Sequence, residues 1–326
     1  MPDLSVIIPA RQEQWVSQTV QDLLAHAAGD IEVIVVLDGA GANPPVPDHP
    51  KVTTVYHAMS RGQRAGINEG LALARSPYVM KIDAHCAVDQ GFDVKLLTPY
   101  LDGTFDQSVT TLPGLYSLHA FDWVCDGCGR RSMQGPKPTA CATCQGVPHH
   151  QLTVWTPANI HRYDFGCFDS QPHFQYWMEY SRRPVATQPL VEVMSFGGGC
   201  WVIPTARFRA YGGMDEAYGP WGSTGIEIAC KTWLSGGRLV LNRQVAYGHL
   251  FRTKSPGFSF PYPLSGKAVA AAKARARDIW FGNKWSGQTR PLAWLLDAFW
   301  PVPGWTEADR TLVQHGALPA AGVEAA

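Results

Sequence analysis

The chain has 326 residues, 45% of them hydrophobic and 17% charged, with 27 basic residues matched by 27 acidic ones. That length suffices for one large α/β domain or two modest ones with a sizeable core. The zero formal charge removes any global pull towards nucleic acid or an anionic membrane, so such contacts need a local patch. No apolar stretch reaches the length of a membrane span, and the opening residues MPDLSVIIPARQE carry only a short apolar run. A soluble, cytoplasmic protein with no membrane partner is expected.

Leu4 to Ile8 reads as a first strand, ended by Pro9, and Arg11 to Ala28 as a helix with Val16, Val20, Leu23 and Leu24 at helical spacing. Ile31 to Leu37 is wholly apolar, as in a parallel sheet covered on both faces, and stops at Asp38-Gly39. Val52 to Tyr56 is a third strand, and Gly62 to Arg75 a helix leading into the strand that starts at Tyr78. This alternation predicts a doubly wound α/β sheet. Pro99 to Gln188 is rich in Pro, aromatic residues and His, without clear periodicity. Periodicity returns with Val191 to Thr205, which contains Gly197, Gly198 and Gly199, then a helix over Gly225 to Leu234 and a strand over Arg238 to Val245. Ala268 to Trp280 predicts a basic helix, and the last dozen residues a frayed tail.

The strand from Tyr78 ends abruptly at Asp83-Ala84-His85. Alternation puts Asp83 and His85 on one face, about 7 Å apart, within reach of one divalent ion. An Asp capping a loop beside an unrelated His is the plainer alternative. Cys125, Cys128, Cys141 and Cys144 form CxxC, twelve residues, CxxC. That spacing predicts a structural zinc ribbon with four cysteine ligands over about residues 122–147. His149 and His150 follow it, and Arg130, Arg131 and Lys137 give it a small basic patch.

Taken together, LSVIIPARQE, EVIVVLDG and RGQRAGINEGLALARSPYVMKIDAHC resemble the nucleotide-sugar half of a GT-A glycosyltransferase. The pattern is most similar to the polypeptide N-acetylgalactosaminyltransferases, relatives of the family-2 glycosyltransferases, which use Asp-x-His. WGSTGIEIACKTWLSGG and GHLFRTKSPGFSFP resemble those enzymes' Trp-Gly-Gly-Glu-Asn-Leu-Glu helix and their third metal-ligand histidine with its mobile loop. The resemblance implies a GT-A, Rossmann-like, mostly parallel sheet flanked by helices, with the ribbon inserted. It divides the chain into a nucleotide-sugar half (1–98), an acceptor-side region (99–188), a catalytic half (189–262) and C-terminal helices (263–326).

It also implies that Asp83, His85 and His249 hold Mn²⁺, or a similar ion, against the diphosphate of a UDP-sugar, UDP-GalNAc or UDP-GlcNAc. Pro9, Arg11, Asp38, Arg61, Arg64, Gly198, Gly199, Trp221 and Arg252 would line the donor, with Asp38 on the base or ribose and Arg252 on the diphosphate. Thr224-Gly225 stands where relatives carry an acidic residue, which leaves Glu227 as the remaining acid. The missing base points to retention of anomeric configuration. The acceptor is a hydroxyl, of a protein Ser or Thr or of a hydroxymethylated DNA base as in phage DNA modification. For DNA, Lys267, Lys273, Arg275, Arg277 and Lys284 would supply the positive charge. A binding module with weakened catalysis is the reading from another class.

Overall fold

The computed structural model describes residues 1–252, 259–262 and 265–314. In chain order the elements are β1 (Leu4–Ala10), α1 (Val16–His26), β2 (Ile31–Asp38), β3 (Val52–His57), α2 (Gln63–Leu73), β4 (Tyr78–Ile82), β5 (Cys86–Val88) and α3 (Phe92–Leu101). There follow β6 (Val109–Cys125), β7 (Arg131–Met133), β8 (His149–Arg162), β9 (Gly166–Phe168), β10 (Phe174–Tyr176), β11 (Leu190–Glu192) and β12 (Cys200–Pro204). The chain closes with α4 (Thr205–Ala210), α5 (Thr224–Leu234), β13 (Arg238–His249), α6 (Gly266–Ala276), α7 (Leu292–Phe299) and α8 (Glu307–Gln314). No described helix is long and apolar enough to cross a membrane. The expected mobile loop falls largely at 253–258, and the expected frayed tail at 315–326, outside the described residues.

One sheet organises the molecule, in the order β11-β13-β6-β12-β4-β1-β2-β3. β4, β1, β2 and β3 run parallel, as do β6 and β13. β12 lies antiparallel between β4 and β6. The sheet is therefore mixed: the β4, β1, β2, β3 run and the β6–β13 pair keep the parallel arrangement expected from the strand–helix alternation, while edge strand β11 is antiparallel to β13. β1 and β2 are buried along their whole length, and alternate residues feed two different cores. Ile7, Ile34 and Val36 pack on one face, while Val6, Ile8, Val33 and Val35 pack on the other. Apolar runs of this kind belong to strands covered on both sides.

Three boundaries differ from expectation in ways that build the site. β1 continues through Pro9, which pairs with Val36 of β2; pairing with β4 has already ended at Ile7, so the missing N–H breaks no bond on that side. α1 starts five residues later than its spacing predicts, at Val16. Arg11 to Trp15 form a loop instead, in which the Glu13 carboxylate accepts the Trp15 N–H at 3.2 Å. β4 stops at Ile82, so Asp83 to His85 is a turn rather than strand. Asp83 and His85 meet because the chain folds back between β4 and β5, not through strand alternation.

Beyond the central sheet, β6 and β8 extend outwards as a long antiparallel pair with β7 at the tip. A third small core fastens the base of this arm. Trp15 stacks on Phe121 with ring centroids 5.5 Å apart and lies 5.6 Å from Trp155, with Ala87, Leu118 and Leu250 beside them.

Candidate active site

The carboxyl ends of β1, β4 and β13 surround a cavity lined by Pro9, Arg11, Glu13, Asp83, His85, Gly199, Trp221, His249 and Arg252. This is where open α/β sheets bind ligands. Asp83, His85 and His249 converge there, each offering an atom within 4.8 Å of the others'. His249 Nε2 lies 3.2 Å from Asp83 Oδ2, and the two imidazole centroids are 4.8 Å apart. The join is made by the sheet: His249 ends β13, and its backbone pairs with Cys86, next to His85.

The donor set suits a borderline divalent ion, with one carboxylate and two imidazoles. His249 presents Nε2 to Asp83, while its Nδ1 is buried with no hydrogen-bond partner among the described residues. Burial pushes the His249 imidazole below its ordinary value, against the opposing pull of Asp83, which favours the neutral, ligating form. For Asp83, burial opposes ionisation, yet the Lys81 ammonium and the His249 hydrogen bond hold its carboxyl well below the usual range.

Two residues that sequence reasoning missed complete the site. Glu13 is buried, accepts from His85 Nδ1 at 2.9 Å and pairs with Arg252. A carboxylate on one ring nitrogen orients the other as a metal ligand. Lys81 is wholly buried in β4, and its ammonium donates to Asp83 Oδ1 and to the Gly198 carbonyl. Lys81 was visible as a cation inside an apolar run, and Glu13 as the last residue of the LSVIIPARQE stretch.

Several expected site residues lie elsewhere. Glu227 does not face the cavity: it is fully buried, paired with Arg64 at 2.8 Å and Lys231 at 2.9 Å, and accepts the Asp215 N–H at 2.6 Å. Arg64 is consumed by the same network and also donates to the Gly222 carbonyl at 2.7 Å. Both therefore hold α2 against α5 rather than touching a donor. Asp38 is 1% exposed and accepts from Arg61 N, Gly62 N, Ser60 Oγ and Tyr262 Oη, at 2.6 to 3.0 Å. It anchors the 60–62 turn beneath Tyr262. The Arg61 side chain is 52% exposed and pairs with Glu69 at 3.5 Å, away from the cavity.

Arg11 remains at the rim, donating to the Asp38 and Pro261 carbonyls. Trp221 packs edge-on against Phe260 at 4.9 Å. Gly198 turns at φ +86°, where a Cβ would sit 2.4 Å from Thr224 Oγ1. A Cβ on Gly225 would lie 1.9 Å from the Phe196 carbonyl oxygen. The glycines at 198 and 225 thus let the 196–198 backbone and the start of α5 approach closely.

At the outer end of the β6–β8 arm, the Sγ atoms of Cys125, Cys128, Cys141 and Cys144 cluster within 4.8 Å, and none is in a disulfide. The close pairs are 3.6 Å (Cys125 and Cys144) and 3.5 Å (Cys128 and Cys141). Tetrahedral zinc with thiolate bonds of about 2.3 Å requires sulfur separations of about 3.8 Å, so the set fits. Backbone N–H groups of Cys144, then Thr143, hold the Cys141 thiol down to about 6. Of the neighbouring histidines, His150 pairs with Asp126, whereas His149 heads β8 opposite Cys125 with a buried Nδ1 that has no hydrogen-bond partner among the described residues.

The sheet order and the position of the cavity define a GT-A glycosyltransferase fold, and residues 5–123 match the family model for glycosyl transferase family 2. The chain is 25% identical over 294 residues to human polypeptide N-acetylgalactosaminyltransferase 6, a match covering 86% of this chain and 42% of the relative. The bovine counterpart is 24% identical over 292 residues, with the same coverage. The chain thus spans about two fifths of the length of these relatives. Among solved structures, one described as GalNAc-T7 with UDP, GalNAc and Mn2+ aligns with a TM-score of 0.59 at 17% identity, covering 97% of this chain and 55% of the other.

Proposed function

We propose that the chain transfers a hexosyl or N-acetylhexosaminyl group from a UDP-sugar to a hydroxyl acceptor, with Asp83, His85 and His249 holding Mn²⁺ or a similar ion. The observation that carries this reading is the convergence of those three side chains, from sites 166 residues apart, in the cavity at the sheet's carboxyl edge. The ion would act as a Lewis acid towards charge developing on the departing diphosphate. Glu13 fixes the His85 ring and holds the Arg252 guanidinium at the cavity wall. Arg252 is placed to meet the diphosphate, and Trp221 with Phe260 to exclude water from the sugar.

Glu13 and Asp83 are the carboxylates of the described cavity wall, and both are committed to cations and imidazoles. With no base poised opposite the leaving group, retention follows, the departing phosphate oxygen taking the acceptor proton. An α-linked donor should give an α-linked product by proton NMR; a β-linked product refutes this stereochemistry.

A protein hydroxyl is favoured over DNA as acceptor, because several of the cations that would grip DNA are engaged within the chain. Arg130 donates to Thr143, Arg131 pairs with Asp122, Arg275 with Asp215 and Lys284 with Asp278. Zinc bound by the four cysteines organises the arm, which stands on the acceptor side. The deciding experiment presents Mn²⁺ and a mixture of UDP-sugars with peptides, hydroxymethylated DNA and glycans, and identifies the modified acceptor by mass spectrometry. Binding of UDP with no release of UDP from any donor would leave a binding module in place of an enzyme.

A further inference from the structure

Lys81 is an anomaly in its strand. β4 is buried over its five residues, paired with β1 on one side and β12 on the other, where apolar side chains are expected. A wholly buried ammonium is costly unless paired. Its partners are Asp83 Oδ1 and the Gly198 carbonyl, the latter at 2.7 Å. Both belong to the site, since Asp83 is a candidate metal ligand and the glycine segment carries Gly199 on the cavity wall. The Asp83 N–H in turn donates to the Gly199 carbonyl at 2.9 Å.

The two carboxylates of this wall are each matched by a cation, and Arg11 lines the cavity besides. Asp83 is matched by Lys81, and Glu13 by Arg252. The two histidines ligate as neutral rings. A divalent ion entering this site meets good ligand atoms but no net negative charge. A diphosphate supplies the charge that is lacking.

We propose that Lys81 is a positioning residue that makes metal capture depend on the diphosphate: its fixed charge offsets that of Asp83, so the protein alone holds a divalent ion weakly and holds it firmly only with the nucleotide. This inference rests on the glycosyltransferase reading. By linkage, the ion and the nucleotide tighten each other by the same factor; removing the Lys81 charge raises Mn²⁺ affinity in both states, so the ion would load before the nucleotide arrives.

The test is a Mn²⁺ titration followed by electron paramagnetic resonance of the free ion, with and without UDP. In the unsubstituted protein, UDP should raise Mn²⁺ affinity at least about tenfold, or about 1.4 kcal/mol. Lys81→Met and Lys81→Gln should bind Mn²⁺ alone at least about tenfold more tightly, so that the ion loads without UDP. Gln keeps a donor for the Gly198 carbonyl and so separates the charge from the hydrogen bond, while Lys81→Arg should restore the original weak binding. Damage to the fold would lower affinity, not raise it. Variants that bind the ion no more tightly than the original overturn the proposal. So does an unsubstituted protein whose Mn²⁺ affinity ignores UDP, a result that needs no variant to fold. A protein that binds neither Mn²⁺ nor UDP removes the glycosyltransferase reading itself, and this inference with it.

Discussion

The two clusters of ligand-type side chains are built in opposite ways. The four cysteines fall within twenty residues, at the end of an arm whose Cys128 and Cys144 are exposed. Asp83, His85 and His249 are assembled from distant segments by the central sheet, in the cavity at its carboxyl edge. A local cluster with little core must take its stability from the ion. A cluster positioned by a sheet is present before any ion arrives. On the proposed reading the first would need metal to fold, whereas the second would need folding to bind metal.

That contrast can be broken most forcefully at His249. His249→Ala should cut donor turnover by at least about 100-fold and abolish Mn²⁺ binding, while the thermal midpoint moves only a few degrees. A collapse of the fold would mean that the cluster is not preformed. Cys141→Ser, or a strong chelator, should release one zinc per chain by elemental analysis. Hydrogen exchange should then rise across residues 125–147 while β1 to β4 keep their protection; loss of protection throughout would erase the distinction.

Trp15→Ala should cost about 3 to 5 kcal/mol in denaturant unfolding, because Trp15 joins the arm's base to the loop carrying Glu13. Asp38→Asn should cost about 1.5 to 3 kcal/mol at pH 7, through weakened bonds to a charged acceptor. Burial opposes ionisation of Asp38, but the Arg61 N–H, the Ser60 hydroxyl and the Gly62 N–H together hold its pKa below the ordinary value. Its contribution is therefore complete above that ordinary value and fades as pH falls through the lower, folded-state one. The difference between variant and original in urea midpoints should close on acidification. The smallest effect on stability is expected from Arg130→Glu with Arg131→Glu, within about 0.5 kcal/mol. The same pair should reduce acceptor use yet spare donor hydrolysis if the arm touches the acceptor; equal loss of both activities refutes that contact.

Much of the sheet was legible because β1, β2 and β4 are near-continuous apolar runs bounded by turn residues. The register of β12, antiparallel in the middle of the sheet, was not, since an apolar run carries no direction. Glu227 looked like a spare acid and proved to be one end of a buried ion-pair network with Arg64 and Lys231. Sequence position cannot reveal that partner when it sits 163 residues away. Asp38 likewise read as a ligand-facing strand end until the 60–62 turn and Tyr262 were seen to occupy it.

From residue order alone came the strand–helix alternation, the paired CxxC knuckles and the proximity of Asp83 to His85, because each depends on neighbours close along the chain. Only the tertiary structure decided which acids face the cavity, that Glu13 backs His85, and that Lys81 cancels the charge of Asp83. Those facts depend on long-range burial, which sets whether a charged side chain meets water, a ligand or another charge.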